Sequence, residues 1–317
     1  MIEQYKAALV AFIIVIIAGL FIIPMLAKLK FGQMVRNDGP KSHIRKTGTP
    51  TMGGIIFIPA IALSVLVLSE LTERVIMTVI IMIGFSLIGF FDDYIKIKKK
   101  RSLGLKASQK LLFQIILAFI LAIYAYYCYP SSGTLKVPWR QYGWDLGLMF
   151  IPFTVFVTLG TVNSVNLTDG LDGLVSGIMV IISFFYTLTA TKAGLSDMAI
   201  ISAAVTGACI GFLVYNFHPA KVFMGDTGSL GLGGVLAAIS VLTRTHLYLI
   251  LFGMIFIVET LSVILQVIAF RFTGKRLFKM SPIHHHFELN GWSEKKVVFV
   301  FWAFTLVTGF IGFMLVV

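Results

Sequence analysis

The sequence predicts an all-α, polytopic integral membrane protein of about ten transmembrane helices, and three observations carry that expectation. Hydrophobic residues make up 58% of the 317 and charged residues only 13%, about half the share usual in soluble domains. Apolar runs of bilayer-spanning length recur along the whole chain, which reads as one domain covering residues 1–317. Lysine and arginine collect in alternate connections between those runs, as they do on the cytoplasmic side of membrane proteins.

The ten spans centre near Ile17, Leu63, Gly84, Leu117, Phe156, Ile181, Ala208, Ala237, Phe256 and Leu306. The first, over residues 7–27, is too long for a signal-peptide core and lacks a convincing cleavage site, so it stays as a helix. The seventh and eighth carry Gly207, Gly211, Gly231, Gly233 and Gly234, which loosen the helical signal. The ninth places Glu259 near mid-membrane, as a tunnel lining or a helix partner. With both termini outside, the inward connections near 28–50, 92–110, 163–172, 216–228 and 271–296 carry six, seven, zero, one and six Lys/Arg. That is twenty against the six of the other side, an imbalance that puts these connections in the cytosol. Eight of the fourteen acids (Asp38, Asp92, Asp93, Asp169, Asp172, Asp226, Glu288 and Glu294) share that cytosolic face, so the active site is expected there.

Charge and cysteine content narrow the partners. The 26 basic residues against 14 acidic could suit nucleic acid, but no basic domain stands apart from the spans. Membrane lipids with anionic headgroups and phosphorylated substrates are the expected partners, and no nucleic acid. Two cysteines, Cys128 and Cys209, within or at the edge of apolar runs, imply neither a disulfide framework nor a thiolate metal site.

Five cytosolic stretches hold the chemistry. In 36–52, Gly39, Pro40, Gly48 and Pro50 shape a turn region in which Lys46 stands near Thr49 and Thr51, a cation with hydroxyl donors for phosphate; the alternative is a merely topogenic basic loop. The third span runs directly into Phe91-Asp92-Asp93-Tyr94 and then a dense cluster of cations. Neighbouring carboxylates repel unless a cation is shared, so the pair is a candidate for a divalent ion or a retained proton, unless it is a solvated helix end. In 163–174, Asn163, Asn166, Thr168, Asp169 and Asp172 are packed between apolar spans with no basic residue nearby. Capping explains one acid and not both, and Gly170 and Gly173 permit close backbone approach. Met224-Gly225-Asp226-Thr227-Gly228-Ser229 offers a carboxylate, two hydroxyls and freed amides for a hydrated cation and its phosphates, without the spacing of a Walker loop. Pro282-Ile283-His284-His285-His286-Phe287-Glu288 spaces its histidines too closely for one helix face, which disfavours a complete zinc site and favours contacts to phosphate or sugar. Gln266, just inside the ninth span, is placed to reach the same cavity.

Together, Phe91-Asp92-Asp93-Tyr94, the run from Asn166 to Gly173, the run from Asn216 to Ser229 and the run from Pro282 to Glu288 resemble the polyprenyl-phosphate N-acetylhexosamine-1-phosphate transferase superfamily over essentially the whole chain. The triple histidine followed by Phe287 and Glu288 resembles its muramoyl-pentapeptide branch rather than the N-acetylglucosamine branch; Ser164, where alanine is expected, is a small departure. The resemblance implies a magnesium-dependent transfer of phospho-MurNAc-pentapeptide from UDP-MurNAc-pentapeptide to undecaprenyl phosphate, forming lipid I and UMP. It implies a ten-span homodimer in the bacterial inner membrane with a cytoplasmic active site. By motif position it makes Asp226 a magnesium ligand with Asn166 a further one, Asp92 the base towards the lipid phosphate, and Asp93 a support for metal and phosphate geometry. Lys46, Thr51, Lys110, Asn166, Asp169, Gly170, Asp172, Asn216, Phe223, Gln266, His284, His285 and His286 become nucleotide-sugar contacts. Two rivals are a sibling transferase using UDP-GlcNAc, which should lack the 282–288 pattern, and a secondary transporter, which should carry polar groups at mid-membrane and on both sides.

Overall fold

The computed structural model describes residues 2–29, 48–99, 101, 103–128, 133–140 and 142–316. Lys46 and most of the first basic loop lie outside these residues. The helices are α1 (Ile2–Lys28), α2 (Gly54–Leu68), α3 (Glu73–Lys98), α4 (Ala107–Tyr127), α5 (Phe150–Thr168), α6 (Leu174–Lys192), α7 (Ser196–Asn216), α8 (Gly225–Leu242), α9 (Leu249–Phe252), α10 (Met254–Thr273), α11 (Ile283–Leu289) and α12 (Glu294–Met314). A two-residue antiparallel ladder pairs Thr134 with Asp145 and Leu135 with Trp144.

Among the described residues, nine helices are long and apolar enough to cross a membrane. The expected second span, α2, is a shorter apolar helix of 15 residues. At 1.5 Å per residue it measures about 22 Å, short of the roughly 30 Å hydrocarbon thickness. The seventh and eighth expected spans are continuous helices, α7 and α8. The ninth is interrupted at Gly253, so its long part starts at Met254 and extends further along the chain than the apolar run suggested.

Local signals set several ends. Thr72 Oγ1 caps α3 by accepting from Val75 N at 3.3 Å, while Lys96 and Lys98 occupy its last turn, where the carbonyl dipoles favour cations. Ser293 Oγ caps α12 through Lys296 N, and Gly274, with φ +67°, closes α10 in the left-handed conformation.

The centre of the bundle is α8, 89% of whose spanning window is buried, against 22% for α1 and α10. Its own surface is small-residue rich, and that lets neighbours approach at backbone distance, the usual way to gain dispersion contact where lipid removes the hydrophobic drive. On α3, Gly89 lies against the Asp226 carbonyl so closely that a Cβ there would collide with it. On α8, a Cβ at Gly233 would stand 2.7 Å from Val162 Cα of α5. Gly89→Ala is therefore expected to destabilise the protein by about 1–3 kcal/mol through overpacking. Gly160→Ala, where a Cβ meets nothing within 4 Å, is the control and should be neutral or slightly stabilising. Unfolding midpoints in detergent check both.

Alternating helix directions bring the functional segments to one end. There Gly53 N donates to Phe223 O at 2.8 Å, joining the start of α2 to the approach to α8. Asp172 N donates to Glu294 Oε1 at 2.7 Å, joining the approach to α6 with the start of α12. At the other end, Arg74 Nε meets Asp197 Oδ2 at 3.0 Å and Arg244 Nη2 donates to Ala125 O at 2.7 Å.

Candidate active site

The last turn of α3 supplies Asp92 and Asp93, and the first turn of α8 supplies Asp226. Each offers a carboxylate oxygen, and the three atoms lie within 4.8 Å of one another. Three such charges at this separation repel strongly unless cations sit among them. Lys96, one turn beyond the pair on α3, does so: its Nζ is 2.6 Å from Asp92 Oδ2, 3.0 Å from Asp226 Oδ2 and 3.8 Å from Asp93 Oδ1. Lys110, in the first turn of α4, adds a second ammonium 2.8 Å from Asp226 Oδ2.

Each acid is also fixed by a neutral donor. Asp93 Oδ2 accepts from Thr227 N at 2.9 Å and Thr227 Oγ1 at 2.8 Å, which locks α3 to the start of α8. Asp92 Oδ1 accepts from Leu105 N at 2.9 Å, and a Cβ at Gly104 would press on that carboxylate. Asp226 Oδ1 accepts from Asn166 Nδ2 at 2.9 Å, and the same amide donates to Ser229 Oγ at 2.8 Å. The Asn166 oxygen faces Lys110 Nζ at 3.5 Å. Gly225 has φ +70°, and a Cβ there would stand 2.7 Å from Asp93 Oδ2 and 2.9 Å from Thr51 Oγ1, so glycine keeps the turn open beside the acids and places Thr51 at the site's edge.

The donor set suits a hard divalent cation: carboxylate oxygens converge, one carboxamide is adjacent, and among the described residues no sulfur or imidazole joins the three acids. Asn166 and Asp226, the residues expected to hold metal, are here in contact, and Asp92 and Asp93 enlarge the set.

The other expected residues among those described make contacts of their own. Phe223 pairs its backbone with Pro50 and Gly53, holding the 50–53 segment beside α8, and its ring is half-buried. Asn216 spends its carboxamide on backbone and hydroxyl groups: Oδ1 accepts from Gly173 N at 3.1 Å and Ser176 Oγ at 2.9 Å, and Nδ2 donates to Val222 O at 2.9 Å. Gln266 likewise closes the 274–282 connection, with Oε1 accepting from Leu277 N and Phe278 N. Asp172 joins a second group: its Oδ2 is 3.1 Å from His218 Nδ1, which also lies 3.2 Å from Glu294 Oε2. His284 is buried against Glu259 and Gly170, His285 Nδ1 pairs with Glu288 Oε2 at 2.9 Å, and His286 Nδ1 accepts from Lys279 N at 3.1 Å. The three imidazoles thus turn to three different partners.

Asp169, just beyond α5, has its carboxyl pushed up to about 8, first by burial and then by the charges of Asp226, Asp93 and Asp172. A carboxyl whose folded value lies above its ordinary 3.8 binds its proton more tightly folded than unfolded. Its contribution therefore weakens stability as pH climbs from about 4 towards about 8. Asp169→Asn is expected to lose that dependence. Melting of both proteins at pH 5 and pH 8 measures it, and parallel curves would contradict the assignment.

Sequence inspection missed Lys96, which sits in a basic cluster that reads as a topological marker. The available signal was its i+3 and i+4 spacing from Asp93 and Asp92, which sets all three on one face of α3. Thr227 and Ser229, legible only as hydroxyls of a turn, prove to be the donor to Asp93 and the partner of Asn166.

Comparison with known proteins gives concordant matches. Residues 75–244, a little over half the chain, match the family model described as glycosyl transferase family 4. The chain is 51% identical over 315 residues to the phospho-N-acetylmuramoyl-pentapeptide-transferase of Clostridioides difficile strain 630, covering 99% of this chain and 98% of that protein. It is 51% identical over 308 residues to the protein of the same name from Thermoanaerobacter sp. strain X514, covering 97% and 96%. With the Bacillus subtilis strain 168 protein of that name, identity is 48% over 309 residues, covering 96% and 95%.

Proposed function

The chain belongs to the family of phospho-N-acetylmuramoyl-pentapeptide transferases, and from that premise we propose how its acids and lysines divide the work. The reaction moves phospho-MurNAc-pentapeptide from UDP-MurNAc-pentapeptide to undecaprenyl phosphate, giving lipid I and UMP. An oxygen of the lipid phosphate bonds to the sugar-bearing phosphorus, the bond from that phosphorus to the bridging oxygen breaks, and UMP leaves with that oxygen. Both reactants are anionic, so charge neutralisation and in-line positioning are the main demands on the protein.

The observation that carries this division is the meeting of Asp92, Asp93 and Asp226 around Lys96 and Lys110. Asp226, with the Asn166 oxygen, is assigned to hold Mg2+, and Asp93 keeps α3 and α8 in register for it. When bound, the cation would neutralise and orient the reacting phosphates. Asp92 is assigned as the base that takes the proton from the lipid phosphate. Lys96 and Lys110 then turn from the acids to the phosphate oxygens. The nucleotide sugar is assigned to Lys46, Thr51, Asp169, Asp172, Phe223, His285 and His286, with Gly170, Asn216, Gln266 and the fully buried His284 shaping the backbone around it. The surplus of basic residues on this end supports a cytoplasmic active face in the bacterial inner membrane, and the family resemblance extends to a homodimer.

The test is UMP release by purified protein in detergent, with each substrate omitted in turn. Release should require undecaprenyl phosphate, should prefer UDP-MurNAc-pentapeptide to UDP-GlcNAc, and should fall by at least about a hundredfold on chelation and return with Mg2+. Turnover undiminished by chelation would remove the metal from this scheme. Preference for UDP-GlcNAc would favour the sibling transferase.

A further inference from the structure

Glu259 lies in a spanning helix and is wholly buried. A carboxylate at such a place needs a specific partner, and both of its oxygens find one outside their own helix. Oε1 is 2.9 Å from His284 Nδ1, and Oε2 accepts from Ile283 N at 2.9 Å. The connection after α10 therefore folds back along it. Gln266 binds residues 277 and 278, and Glu259, seven residues or about 10 Å earlier on the helix, binds residues 283 and 284.

His284 is also fully buried, and its far nitrogen, Nε2, has no hydrogen-bond partner. That nitrogen faces Gly170, where a Cβ would collide with the ring. Contact runs unbroken from Glu259 through the imidazole to the loop that carries Asp169 and Asp172. The carboxylate fixes the ring by its Nδ1 edge, which turns the Nε2 edge to the loop. Neighbouring His285 and His286 stand on the same short helix, which the Glu259 contact to Ile283 N anchors.

We propose that Glu259 is a positioning residue for the nucleotide-sugar substrate: through His284 it seats the triple-histidine helix against the Gly170 loop and so sets the pocket for UDP-MurNAc-pentapeptide. The proposal rests on the functional assignment above. It separates Glu259 from the reacting centre at Asp92 and Asp226, so its loss should weaken one substrate and spare the chemistry.

Glu259→Gln, isosteric and uncharged, is expected to raise KM for UDP-MurNAc-pentapeptide about tenfold to a hundredfold, as small misplacements of binding groups do. The kcat should change less than about threefold and the KM for undecaprenyl phosphate less than about twofold. Calorimetric binding of UDP-MurNAc-pentapeptide should weaken in step. The double variant Glu259→Gln/His284→Ala should be no worse than His284→Ala alone, because both remove one chain of contact. Additive losses, equal effects on both substrates, or a fall in kcat with KM unchanged would overturn the proposal. Gly170→Ala reaches the same contact from the other side and decides the matter if Glu259→Gln does not fold; an unchanged KM there would also overturn it. Wild-type protein that binds the nucleotide sugar yet releases no UMP would refute the functional assignment, while the binding comparison would still judge Glu259.

Discussion

Asp226→Asn is expected to reduce UMP release by about a thousandfold or more while leaving the protein folded in detergent. The substitution conserves shape and removes one charge at the point where Lys96, Lys110 and Asn166 all converge. It weakens the hold on a divalent cation and leaves two ammonium groups facing a neutral amide that brings donors of its own. The packing of α8 on α3 does not depend on that charge, since the register is fixed by Thr227 on Asp93 and by the Gly89 contact. A melting midpoint within a few degrees of wild type would show the fold intact. Near-normal turnover by the variant would remove Asp226 from the reaction.

Asp92→Asn should have a different signature. Its Oδ1 is held by Leu105 N and its Oδ2 by Lys96. An asparagine oxygen can keep one of these bonds but cannot take a proton. Loss of a positioned base costs about 10²–10⁴ in rate, so kcat should fall by that order with both KM values little changed. If KM for undecaprenyl phosphate rises instead and kcat survives, Asp92 binds the lipid phosphate and does not deprotonate it.

Much of this arrangement was legible in the chain itself. Composition gives the membrane class because few soluble sequences are so poor in charge. The grouping of Asp92, Asp93 and Asp226 was legible through the family resemblance of their motifs, while each motif alone pointed only to a cation or a phosphate. Less was legible where a residue serves two purposes. Lys96 looked like one of many topological cations, and only the meeting of α3 with α8 reveals it as the central counter-ion. Glu259 looked isolated because its partners lie 24 and 25 residues on, beyond a fold-back that periodicity does not encode. Asn216 and Gln266 looked like ligand contacts, yet their carboxamides are occupied by backbone groups and, for Asn216, the Ser176 hydroxyl, a distinction invisible without coordinates. The shortness of α2 was hidden because Gly53 and Met52 extend the apolar run without extending the helix.

The Lys96 side chain has one more consequence. An enzyme that depended on a soluble ion to keep three carboxylates together would spring apart whenever that ion ran short. Here a tethered ammonium occupies the gap between them, so removal of the proposed metal should idle the catalyst without unfolding it. Resupply would then restart it at once, with no refolding in between.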